Sequence, residues 1–126
     1  MANIEITPAN MEAFRTATAA AAAAATSSVI DTAETFEFAT NGKPFILLAT
    51  VADTHGSVAL AMNAGDLWAG KATTVGSAPQ AKTTAFLVES GYGVNSDGKI
   101  EIVATPASGK RLATDHALKL TVIQTL

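Results

Sequence analysis

The stretch Asn95-Ser96-Asp97-Gly98-Lys99-Ile100-Glu101-Ile102-Val103-Ala104 decides the fold. Its first four residues make side-chain turns or tolerate positive φ, and an Asp-Gly step between apolar runs is a strong hairpin signal. After Gly98, Ile100 and Ile102 alternate with Lys99 and Glu101, so one face of an extended chain is apolar and the other charged. The expected hairpin joins Tyr92-Gly93-Val94 to the Ile100 strand.

The same grammar extends in both directions. Towards the C-terminus, Leu118, Leu120 and Val122 alternate with Lys119 and Thr121. Towards the N-terminus, Thr83–Val88, Ser57–Met62, Pro44–Val51 and Phe36-Glu37-Phe38 are short runs with the composition of strands. Turn-forming clusters separate them: Asn41-Gly42, Asp53-Thr54-His55-Gly56, Asn63-Ala64-Gly65-Asp66 and Pro106-Ala107-Ser108-Gly109. Asn41-Gly42 predicts a second hairpin, between Phe36–Phe38 and Phe45–Val51. Six or more strands at this spacing, with no helical period between them, predict an all-β antiparallel β-sandwich, Ig-like or jelly-roll-like, over residues 31–126.

Residues 1–30 read differently, as an N-terminal extended and helical arm. Asn3-Ile4-Glu5-Ile6 alternates as a short extended segment, and Thr7-Pro8 has the form of a helix opening. Met11 and Phe14 share a helical face, Ala17–Ala25 has high helix propensity, and Thr26-Ser27-Ser28 ends the run. With so few large side chains, the arm is expected to dock on a partner or a neighbouring copy through Ile4, Ile6, Met11 and Phe14, the competing expectation being a tethered, frayed helix.

Composition narrows the function classes. Of 126 residues 48% are hydrophobic and only 15% charged, against about a quarter charged in an average domain. Much of the surface is therefore neutral or covered. Eleven acidic and eight scattered basic residues form no stripe that could follow a phosphate backbone, so no direct nucleic-acid contact is expected. The absence of cysteine removes disulfides and thiolate chemistry. No run approaches the length of a membrane span, and Ala17–Ala25 is too weakly hydrophobic for a secretory signal.

Candidate chemistry is sparse. Asp53, His55 and Ser57 hold acid, base and hydroxyl within one turn, whereas working triads converge from separate elements. Asp115-His116 would have to meet Asp53 and His55 to make an N/O metal site, and nothing in the sequence brings the two turns together. Gly91-Tyr92-Gly93 lacks the lysine and helix of a phosphate loop. The expectation is therefore no catalytic residue, metal or cofactor. Trp68, alone of its kind, sits in the loop Gly65-Asp66-Leu67-Trp68-Ala69-Gly70, as a cap on the sandwich or as a contact anchor.

One family resemblance is carried by these segments. Val58-Ala59-Leu60-Ala61-Met62-Asn63, the loop Ala64–Lys71, Leu87-Val88-Glu89-Ser90-Gly91-Tyr92, Asn95–Ile100 and the closing Thr121-Val122-Ile123 together resemble small virion proteins of tailed bacteriophages, the head decoration or cement proteins. Leu-Val-Glu-Ser stands where that group has a compact Leu-Glu-Ser. The resemblance covers about Ile30 to the C-terminus and leaves the Ala-rich arm unmatched. It implies a non-enzymatic homo-oligomer, trimer or dimer, assembled in the host cytoplasm onto the outer capsid surface of the virion. There it bridges neighbouring major capsid proteins, with Trp68 and the arm as contact residues. Alternatives are another virion or tail module, a carbohydrate-binding sandwich using Trp68 and Tyr92, and a small hydrolase built on Asp53, His55 and Ser57.

Overall fold

The computed structural model describes residues 3–11, 22–52, 54–64, 73–89, 94–95 and 97–125. Its alternating segments become strands of two mixed sheets. Sheet A runs in the order β1 (Ile4–Glu5), β4 (Glu34–Ala39), β9 (Lys99–Thr105), β6 (Val58–Met62), β7 (Thr73–Ala78). Sheet B has the order β2 (Ala9–Asn10), β10 (Lys119–Gln124), β5 (Phe45–Val51), β8 (Lys82–Val88), and β3 (Ala23–Ala24) also pairs with β10.

The period-two patterns explain the packing. Phe36 and Phe38 of β4, Ile100, Ile102 and Ala104 of β9, and Val58, Leu60 and Met62 of β6 line the inner side of sheet A. From sheet B come Phe45, Leu47, Ala49 and Val51 on β5 and Leu120 and Val122 on β10. All belong to one cluster of buried apolar side chains. At roughly 1.5–3 kcal/mol for each fully buried large side chain, this cluster is the main stabilising term.

The turn at the opening motif forms, while Tyr92 and Gly93, the rest of the expected first strand of the hairpin, lie outside the described residues. Asn95 Oδ1 accepts hydrogen bonds from the Asp97 and Lys99 amides, Gly98 lies at φ +74°, and Val94 bridges Ile100. The second expected hairpin does not form. β4 and β5 lie in different sheets, and residues 40–44 cross between them. Phe36 and Phe38 share one face of β4 and Phe45 lies with Leu47 on one face of β5, and both faces are buried when the strands oppose each other across the core. The Phe38 and Phe45 rings then meet edge-to-face at 4.9 Å. Asn41 ties the crossing to β10, its amide donating to Gln124 Oε1 and its Nδ2 to the Thr125 carbonyl.

The N-terminal segment also departs from expectation, and it makes the sheets mixed rather than purely antiparallel. β1 runs parallel to β4 and β2 parallel to β10, so the chain passes from the edge of sheet A to the edge of sheet B within a few residues. The helix expected to open at Thr7-Pro8 is absent there, because Ala9–Asn10 is a strand. Ala23–Ala24, at the other end of the expected helix, pairs antiparallel with the start of β10. Residues 12–21, which hold the rest of that expected helix, lie outside the described residues. The free edge of β10 supplies backbone partners that local alanine propensity cannot match, as the amides of Met11 and Ala25 donating to Gln124 and Leu118 show.

A buried carboxylate fastens this segment from the other side. Glu34, at the start of β4 and 3% exposed, accepts from the Thr26 and Ser27 amides at 2.8 and 2.6 Å and from Thr26 Oγ1 at 2.7 Å. On the opposite flank, β7 passes from sheet A through residues 79–81 directly into β8 of sheet B. The edges of the two sheets are thus joined on both sides.

Candidate functional site

The two outer faces differ in chemistry. On sheet A, Glu5, Glu37 and Glu101 lie at one level of three adjacent strands. Like charges directly opposed are unfavourable, and their neighbours compensate. Asn3 Nδ2 donates to Glu37 at 3.2 Å and to Glu101 at 2.7 Å, Asn63 Nδ2 donates to Glu101, and the Lys99 ammonium sits 3.4 Å from Glu5 and 3.6 Å from Glu37. The hydrogen bond to Glu5, with the charge of Glu37 next, raises the Lys99 pKa above its ordinary value. This face is built to stay in water.

On sheet B the registers place Ile123, Ile46 and Leu87 in one row, Thr121, Leu48 and Ala85 in the next, and Lys119, Thr50 and Thr83 in the third. Lys119 is the single charge among these nine positions. The threonines of the third row are joined, Thr50 Oγ1 lying 2.9 Å from Thr83 Oγ1. Exposure rises across the sheet. Thr121 on β10 is buried, Ile46 and Leu48 on β5 are half-buried, and Thr83, Ala85 and Leu87 on β8 are exposed, Leu87 to 61%. A neutral, regular face of this kind has little to lose by being covered.

The residues singled out in the sequence fall into distinct environments. Ile6 is 1% exposed and belongs to the chain's own core, so in this fold it has no surface to offer a partner. Ile4 packs against the same cluster from β1. Met11 is half-buried beside β10. Phe14 and Trp68 lie outside the described residues. The alternation in Asn3–Ile6 becomes the strand β1, which adds to sheet A beside β4.

The two histidine turns do meet. His55 Nδ1 lies 3.1 Å from the Asp115 carbonyl, and the Ala52 amide donates to the His116 carbonyl. His116 is buried and its Nε2 accepts from the Ala107 amide at 3.2 Å, while the Asp115 carboxylate accepts from the Arg111 amide at 2.7 Å. Asp115 and His116 stand in a five-residue π-helical turn, Leu112–His116, absent from the sequence reading because its period is neither that of a strand nor that of an α-helix. Ser57 is exposed, and Asp53 lies outside the described residues. Among the described residues no three His, Asp or Glu side chains converge on a metal position.

A shallow cleft of about 270 Å³ opens between the β7 and β8 edges, lined by Met62, Thr73, Thr74, Val75, Leu87, Val88 and Glu89. Among the described residues its lining holds one ionisable side chain, Glu89. The surface with distinctive chemistry is therefore the neutral face of sheet B together with its β8 margin. No protein-family model matches the chain, and no curated protein matches it either. Among the described residues, no helix is long and apolar enough to cross a membrane.

Proposed function

We propose that the chain is a structural module, a β-sandwich that decorates the outer surface of a tailed-phage head and stabilises it by bridging major capsid proteins. The observation that carries this reading is the contrast between the two outer faces. Sheet A carries three carboxylates at one level, with Asn3, Asn63 and Lys99 beside them, next to a neutral remainder of Thr35, Val103, Ala59 and Ala61, whereas Lys119 is the single charge among the nine outward positions of β10, β5 and β8. A protein that sits on a shell needs one face for water and one for the shell.

The resemblance of the segments from Ile30 onward to decoration proteins supplies the class of partner, and the fold supports it in one respect. Its connections join the sheet edges on both flanks, which suits a module that bears load without moving. Repetition over a symmetric shell multiplies contacts that are weak one by one. In this reading the protein is not an enzyme, needs no cofactor, and acts on the virion after assembly in the host cytoplasm.

The test is to mix the purified protein with undecorated capsids and image them. Ordered density at fixed symmetry positions is the expected result, with sheet B towards the shell. Thr50→Glu, which puts a carboxylate on the central strand of that face, should lower occupancy without unfolding the protein. Binding nowhere on the shell would sink the reading.

A further inference from the structure

The fold supplies most of its carboxylates with partners. Among the described residues, Glu5 and Glu37 face the Lys99 ammonium, Glu101 accepts from Asn3 and Asn63, and Glu34 accepts from Thr26 and Ser27. Asp31 accepts from the Gly109 amide and Asp115 from the Arg111 amide, while Asp97 stands at the exposed tip of its turn. Glu89 differs from all of these. It directly follows β8, is exposed, and has no cation or hydrogen-bond donor beside it among the described residues, yet it lines the cleft between the β7 and β8 edges.

The rest of that cleft has two kinds of wall. Met62, Val75, Leu87 and Val88 are apolar, and Thr73 and Thr74 bring hydroxyls. Val75 and Val88 are partly buried and pack against the core cluster, whereas Leu87 is 61% exposed. At about 270 Å³ the cleft is smaller than the roughly 300–1,000 Å³ of sites that enclose a whole drug-sized molecule. Its size suits one long side chain.

We propose that this cleft is a socket for a basic side chain, lysine or arginine, of a partner protein. The methylene stem of such a side chain can lie along Val75, Leu87 and Val88, while its charged head needs an anion and neutral acceptors, which Glu89 and the threonine hydroxyls supply. An anionic group would be repelled by the carboxylate, and a purely apolar one would cover that carboxylate without giving it a counter-charge. Charge complementarity therefore selects a cationic group on a hydrocarbon stem. The socket lies on the β8 side of the neutral face, where exposure is greatest. That the partner is the capsid protein rests on the reading given above; the chemistry of the socket does not.

NMR titration of the full chain with n-butylammonium, which has the stem and head of lysine, and with n-propylguanidinium, for arginine, tests the socket directly. Saturable shifts of the amides of residues 73–75 and 87–89 are expected with one or both, and weaker, unsaturated shifts with butanol and butyrate at equal ionic strength. Glu89→Gln should weaken binding about threefold to fivefold, as the loss of one exposed charge pair does, and Glu89→Lys should weaken it more. Leu87→Ala should weaken it by removing stem contact. Both side chains are exposed, so the urea midpoint should hardly change. On undecorated capsids Glu89→Lys should lower occupancy. Absence of saturable shifts at these residues, equal binding of butyrate, or unchanged affinity in both Glu89 variants would overturn the proposal. So would probe binding that begins only with Trp68→Ala, since the chain's own residues 65–72 would then be the occupant. Decoration indifferent to Glu89→Lys would overturn the socket and leave the capsid reading standing. Probe binding as expected by a protein that decorates no shell would support the socket and sink the capsid reading alone.

Discussion

Glu34 shows how one side chain carries long-range information. A carboxylate that is almost wholly buried is costly unless hydrogen-bonded, and Glu34 meets that need by holding the backbone of Thr26 and Ser27. Glu34→Ala would leave two amides without their acceptor. The expected cost is about 2 kcal/mol, read as a lowered urea midpoint, with proteolysis rising first around residues 22–28. Glu34→Gln, which keeps one acceptor oxygen, should cost less. Gln124 plays a related part in the other sheet, where its side chain accepts from the Asn41 amide and donates to Asn10. Neither role is legible in the sequence. Glu34 reads there as an ordinary charge ahead of a strand, since its partners come from a segment whose position only the folded chain determines.

At the scale of elements, the legible strands are those that alternate, as β4, β9 and β10 do, and those that are compact apolar runs between turns, as β5, β6 and β8 are. β5, β6, β8, β9 and β10 lie where apolar periodicity and flanking turns place them. β7 was not legible, because Thr73-Thr74-Val75-Gly76-Ser77-Ala78 has little alternation and an internal glycine. The structure explains that glycine. A Cβ at Gly76 would lie 2.6 Å from Cε1 of Phe86, whose ring from β8 occupies the space. Gly76→Ala should therefore push the ring aside and destabilise the protein by roughly 1–3 kcal/mol, visible as a lower Tm and a shifted Phe86 ring signal in NMR spectra. Gly42→Ala makes a useful contrast. No atom lies within 4 Å of a Cβ there, but φ is +79°, so its smaller expected effect would come from backbone strain alone. The Asn41-Gly42 turn also shows why turn chemistry does not specify topology. The same residues that close a hairpin can carry the chain from one sheet to the other when the apolar faces on either side demand it.

For the whole molecule, the N-terminal segment is where expectation and structure differ most. The described residues before Thr32 complete both sheets, contribute Ile6 to the core and supply the donors for Glu34. A chain beginning at Thr32 should consequently be strongly destabilised or fail to fold, which far-UV circular dichroism and a denaturant titration would show. Loss of capsid binding by such a chain would then report unfolding rather than a missing contact, so surface substitutions such as Thr50→Glu are the sharper probe. By itself the amino-acid sequence determined that this is a β protein with one apolar face per strand, a neutral composition and few groups suited to catalysis. Those properties follow from residue type and period, which are local. Only the tertiary structure decided that the first strands run parallel to their neighbours, that Asn41-Gly42 crosses between sheets, and that the two histidine turns meet. Each depends on which segments compete for the same backbone partners and the same buried space, and that competition is resolved when the whole chain packs.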